Sequence, residues 1–290
     1  MALSHDRIRN SKGQIVVWLS LLMGSALSSG CGGTHDDFPE RSGSTPVVEI
    51  GTQFKPADCG TVSGVVTWKG TPPVFPVMVV DSAEGPQRVP NPHALVVQPN
   101  SDRVSGAVVY LRGIDLARSK PWTLAPGATV EVDDLGITVR DFGRAGFIRH
   151  GDSISFVSQS KTAQLVRTRG ALNAAVPIPS TTKPSKRIAV KPGRIEMTSG
   201  ANVACAIAHL FVCEHPYYTT TNSAGEFQFK DVPAGQYELV AWQPNGQVVG
   251  HERNPETGLI CRYQYGPSFE RIAAVTVTAG ATTQINVAFP

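Results

Sequence analysis

The chain has 290 residues, 26 of them basic and 23 acidic, for a formal net charge of +3. Three of the basic residues and one of the acidic ones precede Cys31, so the remainder balances 23 against 22 and gives no electrostatic hold on nucleic acid. With 28 Gly and 22 Pro, no long stretch keeps apolar residues at helical spacing without interruption, which excludes a mainly helical fold.

In chain order, Arg7, Arg9 and Lys12 make a basic start. The run Ile15 to Leu27 is apolar apart from Ser20, Gly24 and Ser25, shorter than the roughly 18 to 20 residues of a spanning helix. Ser28, Ser29 and Gly30 then lead into Cys31. This order resembles the signal of bacterial lipoproteins, which are cut before a cysteine that carries the lipid. The resemblance implies a signal peptide over 1–30, lipid attachment at Cys31, a membrane as partner through that anchor, and a place in the cell envelope on the periplasmic or extracellular face. The family sets a leucine three residues before the cysteine, whereas Leu27 stands four before it. An ordinary signal peptide cut near Ala26 is the alternative. Residues 31–57 are rich in Gly, Ser, Thr, Pro and Asp, and read as a flexible tether.

From there almost every ordered stretch has strand character. Val62 to Trp68, Val77 to Asp81, Ala107 to Arg112, Thr129 to Val132, Ser153 to Val157 and Arg187 to Val190 are short and rich in β-branched residues. Glu226 to Phe229, Tyr237 to Trp242, Ala274 to Thr278 and Thr283 to Phe289 continue the pattern. The expected fold is all-β, two joined β-sandwich units, with a short helical turn near Leu172 to Ala175.

Asn222 to Gly225 reads as a hairpin turn, followed by Phe227 and Phe229 on one strand face. Val232-Pro233-Ala234-Gly235 is a second turn, with Gly235 supplying backbone freedom before Tyr237, Leu239 and Ala241 alternate. With Thr221, these residues resemble the carboxypeptidase regulatory-like domain, a transthyretin-like sandwich with a carbohydrate-binding-like fold, expected over 210–290. The resemblance implies a fold and a non-catalytic module; related sandwiches bind carbohydrate. Trp68 and Trp122 are the aromatic candidates for a sugar, since Trp242 falls on the strand pattern.

Upstream, Gly60, Val62, Gly64, Val66, Gly70 and Pro72, then Gly106 to Leu111, then Ile148, Gly151, Asp152, Ile154 and Phe156, resemble bacterial extracytoplasmic proteins that set a cupredoxin-like unit before a regulatory-like sandwich. The resemblance implies a cupredoxin-like region over 58–209. A blue-copper centre needs a Cys thiolate, two His and a weak axial ligand. Cys205 is present, but Ala208 stands where the family has His, no Met follows, and Gln159 to Gln164 lacks the upstream His. The expectation is a degenerate site without cofactor; the rival set for copper is Cys205, His209 and His150. His215 belongs to the family's His-Pro-Tyr turn, and His93 and His251 lie in loops with no partner in view.

With Cys31 lipidated, Cys59, Cys205, Cys213 and Cys261 remain, and the expected disulfide joins Cys213 to Cys261, leaving Cys59 and Cys205 paired or free. Gly151-Asp152-Ser153-Ile154 resembles the nucleophile block of GDSL-type hydrolases, but a strand follows where those enzymes turn into a helix, and no Asp-x-x-His supplies a base. The function expected is a lipid-anchored, non-catalytic envelope module for binding or scaffolding, with an unknown protein or glycan partner. The alternatives are a copper electron-transfer protein and a carbohydrate-binding accessory protein.

Overall fold

Two β-sandwiches are built from interleaved stretches of chain. The computed structural model describes residues 49–82, 85–180, 183–200 and 203–290. The expected signal peptide, Cys31 and most of the expected tether lie outside the described residues. The tether expectation reached 57, yet residues 49–57 are held in place: the Gly51 N–H donates to the Leu116 carbonyl (3.0 Å) and the Gln53 N–H to that of Ala117 (2.8 Å).

The first sandwich has one sheet ordered Glu226–Pro233, Cys59–Trp68, Thr282–Gln284, with Val287–Phe289 also alongside Cys59–Trp68. Its facing sheet is ordered Tyr218–Thr220, Val108–Arg112, Gly235–Gln243, Phe269–Val277. Val62, Val66, Leu111, Phe227, Phe229, Leu239 and Phe289 form the core between them. Gly60 and Gly64 lie on the same inward face as Val62 and Val66, because side chains two apart share a face. A Cβ on Gly60 would run into the Thr278 carbonyl oxygen, and one on Gly64 into that of Ile285. The alternation of glycine and valine thus makes room for the closing stretch of chain to cross the opening strand. Gly64→Ala is expected to destabilise the protein by about 1–3 kcal/mol through overpacking, read as a lower urea midpoint at unchanged slope.

The two turns expected near 225 and 235 are present, for different reasons. Gly225 has φ +71, and Asn222 Oδ1 accepts the N–H groups of Ala224 and Glu226, both at 2.9 Å. At the second the chain bends at Ala234 and Gly235 has no positive φ; the positive φ nearby, that of Asp231 (+60), lies inside the strand Glu226–Pro233 where its register with Cys59–Trp68 shifts. Gly235 is needed for space: a Cβ there would sit 2.8 Å from the Tyr237 hydroxyl, which donates to the Pro233 carbonyl (2.9 Å).

The second sandwich has one sheet ordered Ser185–Ile188, Ser153–Ser158, Ala128–Val132, Ile137–Val139. The other is ordered Ala174–Ile178, Gln164–Gly170, Gly193–Ser199, Ile207–Cys213, Ala145–Arg149. Val130, Ile154, Phe156, Ile195, Met197, Leu210 and Val212 fill its interior. The helical turn expected near Leu172 to Ala175 is instead a hairpin connection. Asn173 Oδ1 accepts the Gly170 N–H (3.1 Å), its amide donates back to the Gly170 carbonyl (3.2 Å), and Ala174 already opens a strand.

Val108–Arg112 and Tyr218–Thr220 are hydrogen-bonded neighbours in the first sandwich, and the whole second sandwich is inserted between them in sequence. The sandwich that closes the chain therefore draws strands from Cys59–Trp68 and Val108–Arg112, so its make-up differs from a sequential division at 209/210. The described residues all belong to one compact unit. Among the described residues no helix is long and apolar enough to cross a membrane.

Candidate functional site

Strand Ile207–Cys213 is buried at every residue, because it is covered on both faces. Ala208, Leu210 and Val212 enter the core of the inserted sandwich. On the opposite face, Phe211 and Cys213 meet Val108 and Trp242 of the first sandwich, with Phe147 beside them. The Trp242 ring lies 5.3 Å from Phe211 and 4.9 Å from His209, both edge-on, and the Arg194 guanidinium sits 4.9 Å from its centre. Trp242 is core, as its strand position implied, and so is Trp68, which packs against Phe269 and Phe289.

His209 extends this seam with a partner that sequence reasoning missed. Its Nε2 lies 3.1 Å from Nε2 of His93, and the rings stack at 5.1 Å. His93 is held by its own surroundings: Asn91 Oδ1 accepts the His93 N–H (2.9 Å), and His93 Nδ1 lies 3.1 Å from the Asn245 carbonyl. A carbonyl only accepts, so Nδ1 of His93 carries the proton. Burial pulls the His93 pKa down to about 4 and that of His209 well below its ordinary value, so both rings are neutral. Hence the His209 Nε2–H donates to the free Nε2 lone pair of His93. That leaves His209 Nδ1 buried without a hydrogen-bond partner, as are Trp242 Nε1, Gln243 Oε1 and the Tyr265 hydroxyl.

The structure does not assemble the copper ligand set. Cys205 lies in the core of the inserted sandwich, where burial pushes its thiol pKa up and disfavours the thiolate a metal requires. His209 uses its Nε2 on His93, and His150 is exposed, with Nε2 2.9 Å from the Val190 carbonyl. Among the described residues no three His, Cys, Asp or Glu side chains are grouped to hold a metal ion. These donors do not fit a blue-copper centre.

The expected Cys213–Cys261 disulfide is not formed, and all four described cysteines are free. Cys213 faces the seam and its thiol donates to the Phe211 carbonyl (3.2 Å), whereas Cys261 lies in the separate hairpin of Val248–Arg253 and Ile260–Tyr265 and donates to the Glu252 carbonyl (3.4 Å). The Gly-Asp-Ser block is structural. Asp152 Oδ2 accepts the Gly127 N–H (2.9 Å) and pairs with Arg149 Nε (2.7 Å), and Ser153 opens a strand. His215 is buried, with its pKa pulled down to about 4, and its Nδ1 accepts the Tyr217 N–H (3.3 Å).

Where the seam reaches solvent it opens into a groove. One cavity of about 290 Å³ is lined by Glu49, Trp122 and His150 among others, and a second of about 260 Å³ by Arg112, His215 and Tyr218. Leu116 and Glu214 line both. Trp122 is half-buried, and its indole also packs on the seam cluster. Tyr218 is fixed by stacking on Tyr110 at 4.9 Å and an interplanar angle of 4°.

Sheets, cores and seam define an all-β protein of β-sandwich-like units. The family model fn3_3, described as polysaccharide lyase family 4, domain II, matches residues 209–255, under a fifth of the chain. No curated protein matches the sequence. Among solved structures, a chain from the cryo-EM structure of a heme-copper terminal oxidase dimer is similar at 15% identity and a TM-score of 0.26. That alignment covers 32% of this chain and 74% of the other, a likeness too distant to carry an argument.

Proposed function

We propose that the chain is a lipid-anchored, non-catalytic binding module of the cell envelope, facing the periplasm or the exterior. Its two sandwiches correspond to the cupredoxin-like and carboxypeptidase regulatory-like units that the sequence resembles. The observation that carries the reading is the seam. Its histidines are neutral and engaged with each other or the backbone, and its aromatic side chains are packed, so the interior serves to join the sandwiches. What it offers to a partner is the groove beside Trp122 and Glu214.

The anchor is tested in the full chain. Wild-type protein is expected in the membrane fraction with a mature N-terminal residue at position 31 bearing the mass of a diacylglyceryl group. Cys31→Ser is expected to release it from that fraction. Recovery of intact, unacylated chain from the cytosol would end the anchored reading.

A further inference from the structure

We propose that the groove is a carbohydrate site with two adjoining subsites, so that its ligand is a glycan of at least two sugar units. This deepens the binding-module reading and rests on it.

The size of the two cavities comes first. Ligand cavities for drug-sized molecules run about 300–1,000 Å³, and each cavity here, at about 290 and 260 Å³, falls just below that range, the scale of a single ring. Both have Leu116 and Glu214 in their walls, so they adjoin, and a ligand reaching from one into the other across those residues must be a short chain of ring-sized units.

The chemistry of the walls comes next. A pyranose ring presents an apolar C–H face and a rim of hydroxyls, so it needs a flat aromatic surface and hydrogen-bonding groups around it. The first subsite supplies the indole of Trp122, with Glu49 and His150 at its edge. The second supplies Tyr218, already fixed by Tyr110, and Arg112, whose Nη2 donates to the Tyr110 hydroxyl (2.8 Å) and pairs with Glu270 (3.1 Å). Glu214, exposed and shared between the subsites, is placed to accept from hydroxyls on both sugars. A rigid aromatic ring contributes contact area at little entropic cost, and a carboxylate accepts strong hydrogen bonds. The same carboxylate disfavours other occupants. A lipid tail would strand Glu214 unsolvated, and a compact anion would be repelled by both Glu214 and Glu49.

The probes are cello-, manno-, chito- and galacturono-oligosaccharides of one to four units, added to the purified full chain in detergent. Binding is followed by tryptophan fluorescence and calorimetry. At least one tetrasaccharide is expected to bind about tenfold or more tighter than its own monosaccharide. Trp122→Ala is expected to abolish both the affinity and the fluorescence change. Since Trp122 also packs on the seam, Glu214→Gln is the second variant. Its side chain is exposed, and about tenfold weaker binding at an unchanged melting temperature is expected.

Equal affinity for mono- and tetrasaccharide would overturn the two-subsite arrangement. Sugar binding that both variants leave untouched would overturn this site while sparing the binding-module reading. If no sugar binds but a random hexapeptide library does, with loss in Glu214→Gln, the groove stands and the sugar assignment falls. Silence toward both sugars and peptides would overturn the inference and the binding-module reading together.

Discussion

Lowering the pH from 7 to 4 is expected to unfold this protein, well before its carboxylates are fully protonated. His93, His209 and His215 are buried and neutral, each with its pKa depressed chiefly by burial. In the unfolded chain an ordinary histidine takes up its proton near pH 6.5, whereas in the folded protein His93 and His215 do so only at about 4. Between those values the unfolded state binds more protons, so stability falls as pH falls, and the loss levels off below about pH 4. At 1.36 kcal/mol per unit, each of the two contributes a loss of about 3 kcal/mol across the window, and His209 adds to it. Domains of ordinary stability have about 5–15 kcal/mol in total, so a combined loss of this size is decisive. Urea midpoints at pH 7, 6, 5 and 4.5 measure it, and His215→Asn should flatten the profile by its share. A midpoint that holds steady from pH 7 to 4.5 would show that the imidazoles are not sequestered as neutral rings.

Trp242→Ala is expected to cost about 3–5 kcal/mol, the range for removing a large buried aromatic side chain. Its indole contacts Phe211, His209 and the Arg194 guanidinium, so truncation opens the seam and removes the cation's partner as well. Trp242→Phe should cost only about 1–2 kcal/mol, because the ring surface is mostly retained and the buried Nε1–H it removes has no hydrogen-bond partner. Chemical denaturation of the three proteins at pH 7.5 decides the matter. Equal losses for Phe and Ala would place the energy in the indole N–H and contradict the packing account.

How much of this was legible in the sequence depended on how each strand is buried. Cys59–Trp68, Glu226–Pro233 and Gly235–Gln243 carry alternation and turn residues, so their type could be read locally. Ile207–Cys213 reads as strand only from its short continuous apolar run, because burial on both faces erases the alternation that marks a half-exposed strand and with it any sign of which side chains face the seam. Gln164–Gly170 ends in exposed Arg and Gly and resembles a loop until its pairing with Gly193–Ser199 is known. The site was harder still. His209 was visible as a candidate, but its partner His93 is 116 residues away in a loop, and no local pattern encodes a contact at that separation. Glu214 and Leu116 had no signal either, since their importance comes from two sandwiches meeting beside them. Trp122 was picked out in advance on the chemistry of its ring, while His150, Cys213 and His215, which also line the cavities, were noted for other roles.

The opening strand, Cys59–Trp68, runs parallel to the last two, Thr282–Gln284 and Val287–Phe289. During synthesis Val62 and Val66 therefore stay uncovered on that side until Thr282–Phe289 have emerged. The inserted sandwich has all its own sheet strands well before then and can assemble meanwhile. Loss of Thr282–Phe289 would thus leave an intact middle attached to an unclosed shell, with Val62 and Val66 bared along that edge.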